Sequence, residues 1–329
     1  MNNTIQLLFC VLAIYTSFIL WSYFQEKLVS TDYGTNAFFH APLVINITQS
    51  FLCIITGSIY LYTKTKRDST IQFIPKFTNK SLLLLYAISI SQSISAPLSY
   101  QSLDHVDYVL YLLAKSCKLI PVMLVHFFLF GTRYPLQKYI VAVIITFGVG
   151  IFTIDGMKSG IKTPGEDGNI ILGISMLCGS LLLDGFMNSA QDVLFKSMKS
   201  LTGAHLMVLL NLFTMINLLI YTKLFTNQIN DVFKFVVING PECLYDLFKF
   251  SLCGALGQIF IFYTLEIFSS VVLVTVTVTR KMLSMAVSVI LFGHVLTLKQ
   301  WFGLILVFVG VIMESVIKIF NKKEKVKKL

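Results

Sequence analysis

YVLYLLAKSCKLIPVMLVHFFLF, residues 108–130, is the stretch on which the fold turns. It is apolar and long enough to cross a bilayer, which takes about 20 residues, yet it contains Lys115 and Lys118. A second such run, VVLVTVTVTRKMLSMAVSVILF at 271–292, contains Arg280 and Lys281. A Lys or Arg near the bilayer centre costs at least ~2.5 kcal/mol on insertion scales. A chain sustains four of them only where an aqueous cavity or an anionic partner takes up the charge. An anion pathway is therefore the leading expectation.

The remaining composition agrees. Of 329 residues, 56% are hydrophobic and 13% charged, against about 25% charged in soluble domains. This is an all-α membrane protein embedded in the lipid bilayer. The net charge of +10 does not signal nucleic acid as a partner, because six basic residues crowd the tail Lys318–Lys328 and five lie between Lys64 and Lys80. The six cysteines include no C-x-x-C pair and read as free packing thiols. No metal spacing, P-loop, dinucleotide fingerprint or nucleophile elbow occurs, so no cofactor or metal is expected. An embedded glycosyl or phosphoryl transferase would need an acidic metal site, and no such cluster is visible.

Ten spans are expected, at about 5–24, 38–62, 81–100, 106–130, 138–155, 170–189, 204–225, 243–263, 267–292 and 300–320. The first has no basic flank or cleavage site and reads as a retained helix. Basic loop residues stay cytosolic. With the N-terminus in the cytosol, 15 of the 26 Lys and Arg fall on that side and seven opposite. Both termini are therefore expected to be cytosolic.

An internal repeat runs at a spacing of 162 residues. Leu129-Phe130-Gly131 returns as Leu291-Phe292-Gly293, Ser102-Leu103-Asp104 as Thr264-Leu265-Glu266, Gly148-Val149 as Gly310-Val311, and Lys118 falls on Arg280. Two five-helix halves, 1–160 and 161–329, follow. Five spans per half force the second copy into the membrane upside down. Such inverted repeats characterise secondary transporters, with substrate bound between the halves near the midplane.

Candidate binding residues cluster on the two basic spans. Lys115 and Lys118 share a helix face with Tyr111 and Tyr108, and Pro121 interrupts the same helix. In the partner span Thr277, Lys281, Ser284 and Ser288 form a polar stripe, with Arg280 about 100° round. Arg grips phosphate bidentately, whereas Lys acts as a mobile point charge. The alternative for each cation is an ion pair with Glu26, Asp104, Asp184, Asp192 or Glu266, of which only Asp184 reads as deeply buried. Gln258 is a buried amide able to hydrogen-bond a sugar or base, or to join helices. Tyr111 and Tyr263 are candidates for base stacking. The final Lys325-Val326-Lys327-Lys328-Leu329 fits a Lys-x-Lys-x-x retrieval signal read by coat protein, or a basic flank touching anionic lipid.

Several segments resemble the endoplasmic-reticulum UDP-galactose transporter homologues, subfamily B of solute carrier family 35 in the drug/metabolite transporter superfamily. They are Gln25-Glu26-Lys27, the run Lys115–Leu124, the run Tyr134–Tyr139, Leu183-Asp184-Gly185, Gln191-Asp192, the run Ala255–Gln258 and Thr279-Arg280-Lys281. The resemblance implies the drug/metabolite transporter fold, ten transmembrane helices in two inverted five-helix repeats. It also implies exchange of a nucleotide sugar, UDP-galactose or UDP-glucose, for UMP across the endoplasmic reticulum or Golgi membrane. The Lys pair and the Arg-Lys pair would face the phosphates, with Glu26 beside the site. Other members of the subfamily are assigned ATP/ADP exchange. Leu119 stands where the family often carries proline, and 194–201 diverges.

Overall fold

Hydrocarbon offers no partner for a peptide group, so each apolar run has to close its hydrogen bonds within itself as a helix. The computed structural model shows this outcome and describes residues 3–34, 38–67, 75, 77–116, 123, 136–158, 170–198, 200–267, 270–291 and 296–327. Among them are eleven helices: α1 Asn3–Ser30, α2 Pro42–Arg67, α3 Asn79–Gln101, α4 Tyr108–Ser116, α5 Leu136–Lys158, α6 Ile170–Ser197, α7 Gly203–Phe225, α8 Gln228–Asn239, α9 Glu242–Ile267, α10 Ser270–Leu291 and α11 Leu298–Lys327. Six of them, α1, α2, α3, α6, α7 and α9, are long and apolar enough to cross a membrane, and α5 and α11 contain shorter apolar segments. The protein is an all-helical membrane protein.

Helix α8 was not anticipated. It fills the stretch between the seventh and eighth expected spans and is too short to cross a bilayer. Its sequence signal is an apolar spacing of three and four residues, and Val232, Phe235 and Val236 pack against a core of Leu28, Phe39, Ile45 and Phe250. The eighth and ninth expected spans, 243–263 and 267–292, which only a short polar patch at Glu266 divides, are separate helices, α9 and α10.

The helices pair in a regular pattern. α1 packs on α9 and α3 on α6; α2 packs on α9 and α3 on α7; α1 packs on α10 and α4 on α6. The pairs α2–α7, α4–α10 and α5–α11 join the two halves of the chain. Exchanging α1, α2, α3, α4 and α5 for α6, α7, α9, α10 and α11 reproduces these pairings.

Polar contacts tie helix ends together at one end of the bundle. Lys27 Nζ lies 2.8 Å from Asp246 Oδ2, to which the Tyr33 hydroxyl also donates. His40 Nδ1 and Asp104 Oδ1 are 2.8 Å apart. The Leu43 amide donates to Gln228 Oε1, and Thr297 donates to Asp155. The described cysteines Cys10, Cys53, Cys178, Cys243 and Cys253 are free.

The α5–α11 crossing is held at glycine. A Cβ on Gly303 would sit 2.6 Å from the Gly148 carbonyl oxygen, and one on Gly148 would sit 2.8 Å from that of Gly303. The repeat positions Gly148 and Gly310 both lie in this seam, where small residues let backbones approach. Nothing lies within 4 Å of a Cβ on Gly150. Gly303→Ala is therefore expected to lose about 1–3 kcal/mol through overpacking. Gly150→Ala should be neutral or slightly stabilising. Thermal unfolding of the two purified variants measures the difference.

Candidate functional site

A cavity of about 610 Å³ occupies the middle of the bundle, and α1, α3, α4, α6, α7, α9 and α10 all contribute to its wall. Lys115, Tyr111, Gln258, Arg280 and Ser284 all line it. These residues come from three helices, α4, α9 and α10, and from both halves of the chain. Asp184, Gln92, Ser95, Gln191 and Asn211 line it too.

Lys115 is held on one side. Its Nζ donates to Ser180 Oγ at 2.8 Å and to Asp184 Oδ2 at 2.9 Å. Ser95 Oγ donates to the other Asp184 oxygen. Ser95 and Ser180 also bond each other's backbone carbonyls at 3.0 Å, which locks α3 against α6 through small residues. The ion-pair alternative for Lys115 is thus the arrangement present, and the pair still faces the cavity. Its side chains retain 22% and 23% exposure.

Arg280 is held differently. Its guanidinium lies 4.2 Å above the Phe18 ring on α1, a cation–π contact. Its Nε is buried without a hydrogen-bond partner among the described residues. Ser284, one turn along, and Ser288, a further turn on, also have buried hydroxyls with no partner among the described residues. The cavity-facing stripe of α10 is therefore Arg280 and Ser284, spaced as i and i+4. Thr277 is not among the cavity-lining residues.

Tyr111 is only 5% exposed. Its ring stacks on Tyr108 at 5.6 Å, and its hydroxyl accepts from Gln25 Nε2 at 3.1 Å. Tyr108 in turn donates to Gln25 Oε1. Gln25 therefore fixes both rings, a role that its place in the Gln-Glu-Lys segment left unassigned. Tyr263 accepts a hydrogen bond from Gln6 and does not line the cavity.

Glu26 changes the count of deep acids. It is 1% exposed, whereas Asp184, read from the sequence as the only deep carboxylate, keeps 23% side-chain exposure. The reason is packing. Glu26 sits near the end of α1, where position in the sequence suggests exposure, but the neighbouring helices cover it. It does not line the cavity. Lys118 lies outside the described residues, as do the side chains of Lys281, Asp192, Glu266 and the tail lysines.

The lining carries the 162-residue spacing as well. Ser22 and Asp184, Gln25 and Met187, Ala96 and Gln258, Ser99 and Ile261, and Tyr100 and Phe262 each stand that far apart, and all line the cavity. Composition alone gives little sign of the wall residues Gln92, Ser95, Gln191 and Asn211. A serine or amide in an oily span is as readily helix–helix glue as cavity lining.

Comparison with known proteins adds a further constraint. A family model described as the UAA transporter family matches residues 6–318. A Candida albicans protein named UDP-galactose transporter homolog 1 is 44% identical over 100% of this chain and 94% of its own length. The Saccharomyces cerevisiae protein of the same name is 40% identical over 98% of this chain and 97% of its own. A solved crystal structure covers 94% of this chain and 96% of its own at a TM-score of 0.52. At 11% identity, that likeness speaks to fold alone.

Lys115 and Asp184 should behave as a coupled unit. Asp184→Asn leaves a desolvated ammonium without its counter-charge, and is expected to lose about 1–3 kcal/mol. Adding Lys115→Gln should recover most of that loss. A thermal-unfolding double-mutant cycle checks it, since independent groups would give additive losses.

Proposed function

The chain belongs to the UAA transporter family, a family of transporters and not of enzymes, and from that premise we propose that it is a nucleotide-sugar antiporter. It exchanges cytosolic UDP-galactose or UDP-glucose for lumenal UMP across the endoplasmic reticulum membrane, with both termini in the cytosol. Its helices form two inverted repeats, 1–160 and 161–329, that rock about the central cavity. The preserved helix pairings and the paired lining positions support the repeat.

The observation that carries the reading is Arg280. A guanidinium faces a 610 Å³ cavity with its Nε unfilled and no carboxylate bonded to it among the described residues. A volume of this size suits a nucleotide-sized ligand. A diphosphate would take Arg280 bidentately, with Ser284 as a further donor. Lys115 on α4 would add charge by sharing itself between Asp184 and the ligand. Gln258 and Tyr111 border the space left for the sugar and base.

Exchange follows from the same charge. Closing an empty cavity would strip water from an uncompensated cation, a penalty of several kcal/mol. The loaded cavity avoids it, so the return step needs a nucleotide as well. Lys115 is already neutralised in part, which leaves less spare positive charge than four free cations would. That favours the two charges of a UDP-sugar over the larger charge of ATP.

Liposomes containing the purified protein and preloaded with UMP should take up labelled UDP-galactose, and empty liposomes should not. Equal uptake into both would reject exchange. Unlabelled UDP-sugars should compete better than ATP or ADP. Arg280→Ala should lower counterflow at least about thirtyfold, and Arg280→Lys should restore part of it. Normal counterflow in Arg280→Ala would return the guanidinium to a purely structural role.

A further inference from the structure

Helix α3 borders a second cavity on the face turned away from the central one. It measures about 480 Å³ and lies between α2, α3 and α7, with Gln228 of α8 at one end. Its walls are largely apolar, with Ile94, Pro97, Leu98 and Leu218 among them. Ile90, Ile94 and Tyr221 line it and are 38%, 51% and 50% exposed, so it opens onto the outer, lipid-facing surface of the bundle. No Asp, Glu, Lys or Arg is among the described lining residues. A phosphate-bearing head would be left unpaired there.

Ser93, Gln101, Asn217, Thr226 and Gln228 are the polar side chains that interrupt this wall, and two groups among these residues lack an ordinary partner. Asn217 Nδ2 is buried without a hydrogen-bond partner, and it is the only such donor among the described lining residues. Pro97 lies inside α3 and has no N–H, so the carbonyl of Ser93, one turn before it, lacks its usual helical donor. Ser93, Pro97 and Asn217 all line the same space. One open donor and one open acceptor match a neutral hydroxyl, which can accept from the first and donate to the second.

We propose that this lateral cavity is a sterol site, the sterol hydroxyl bridging Asn217 Nδ2 and the Ser93 carbonyl and its ring system lying against Ile94, Pro97 and Leu218. The occupant would brace α3, whose opposite face presents Ser95 and Ser99 to the central cavity.

The full-length protein in lipid nanodiscs can be labelled with a photoactivatable cholesterol analogue. Label is expected on peptides of α3 and α7, and excess unlabelled cholesterol should compete it away. Asn217→Leu removes the donor at nearly constant volume and should lower capture about fivefold. Ile94→Trp blocks the exposed mouth and should abolish capture. Ile59→Trp, on an exposed α2 position away from the cavity, should leave it unchanged. Equal labelling of all three variants and wild type would overturn the site. Competable capture of a photoactivatable diacylglycerol in place of the sterol probe would overturn the assigned ligand.

Discussion

A guanidinium in hydrocarbon has to be paired, stacked or wet. Arg280 sits on α10 against the face of Phe18 and opens into the central cavity of about 610 Å³, and much of the surrounding architecture serves that placement. A ring beneath the cation supplies attraction without neutralising it. A carboxylate in the same place would cancel the charge and leave nothing for an anion to bind. Lys115 on α4 is treated in the opposite way, with Asp184 and Ser180 bonded to its ammonium and Ser95 bonded to Asp184. The two walls therefore differ in how much charge they have to spare.

That asymmetry sits within a nearly symmetric frame. The pairings of α1 to α5 recur among α6, α7, α9, α10 and α11, and lining positions return 162 residues on. The residues at matched positions have diverged in chemistry: Ser22 faces Asp184 across the spacing, and Ala96 faces Gln258. Similar helix pairings with unlike side chains give a cavity whose walls can contact different parts of one ligand.

Helix α3 has a place in both cavities. Its serines pack against α6 and face the centre, while Pro97 and Ile94 turn outward toward lipid. Proline inside a spanning helix removes a backbone bond that neighbours must make good. A helix so weakened, with a polar face inside and a pocket outside, is well placed to sense its surroundings in the bilayer.

The sequence by itself determined the membrane class, the basic residues in the spans, and the 162-residue spacing, because long apolar runs and charge within them are local properties. It also pointed to Lys115, Arg280, Ser284, Gln258 and Tyr111, which the cavity brings together. Only the tertiary structure decided which cation is paired. Asp184 lies 69 positions from Lys115, and only the packing of α4 on α6 brings them to 2.9 Å. It likewise covered Glu26, placed Arg280 over Phe18, and gave α8 a core to rest on. Pairing and burial depend on which helices become neighbours, and a span read singly carries no record of its neighbours.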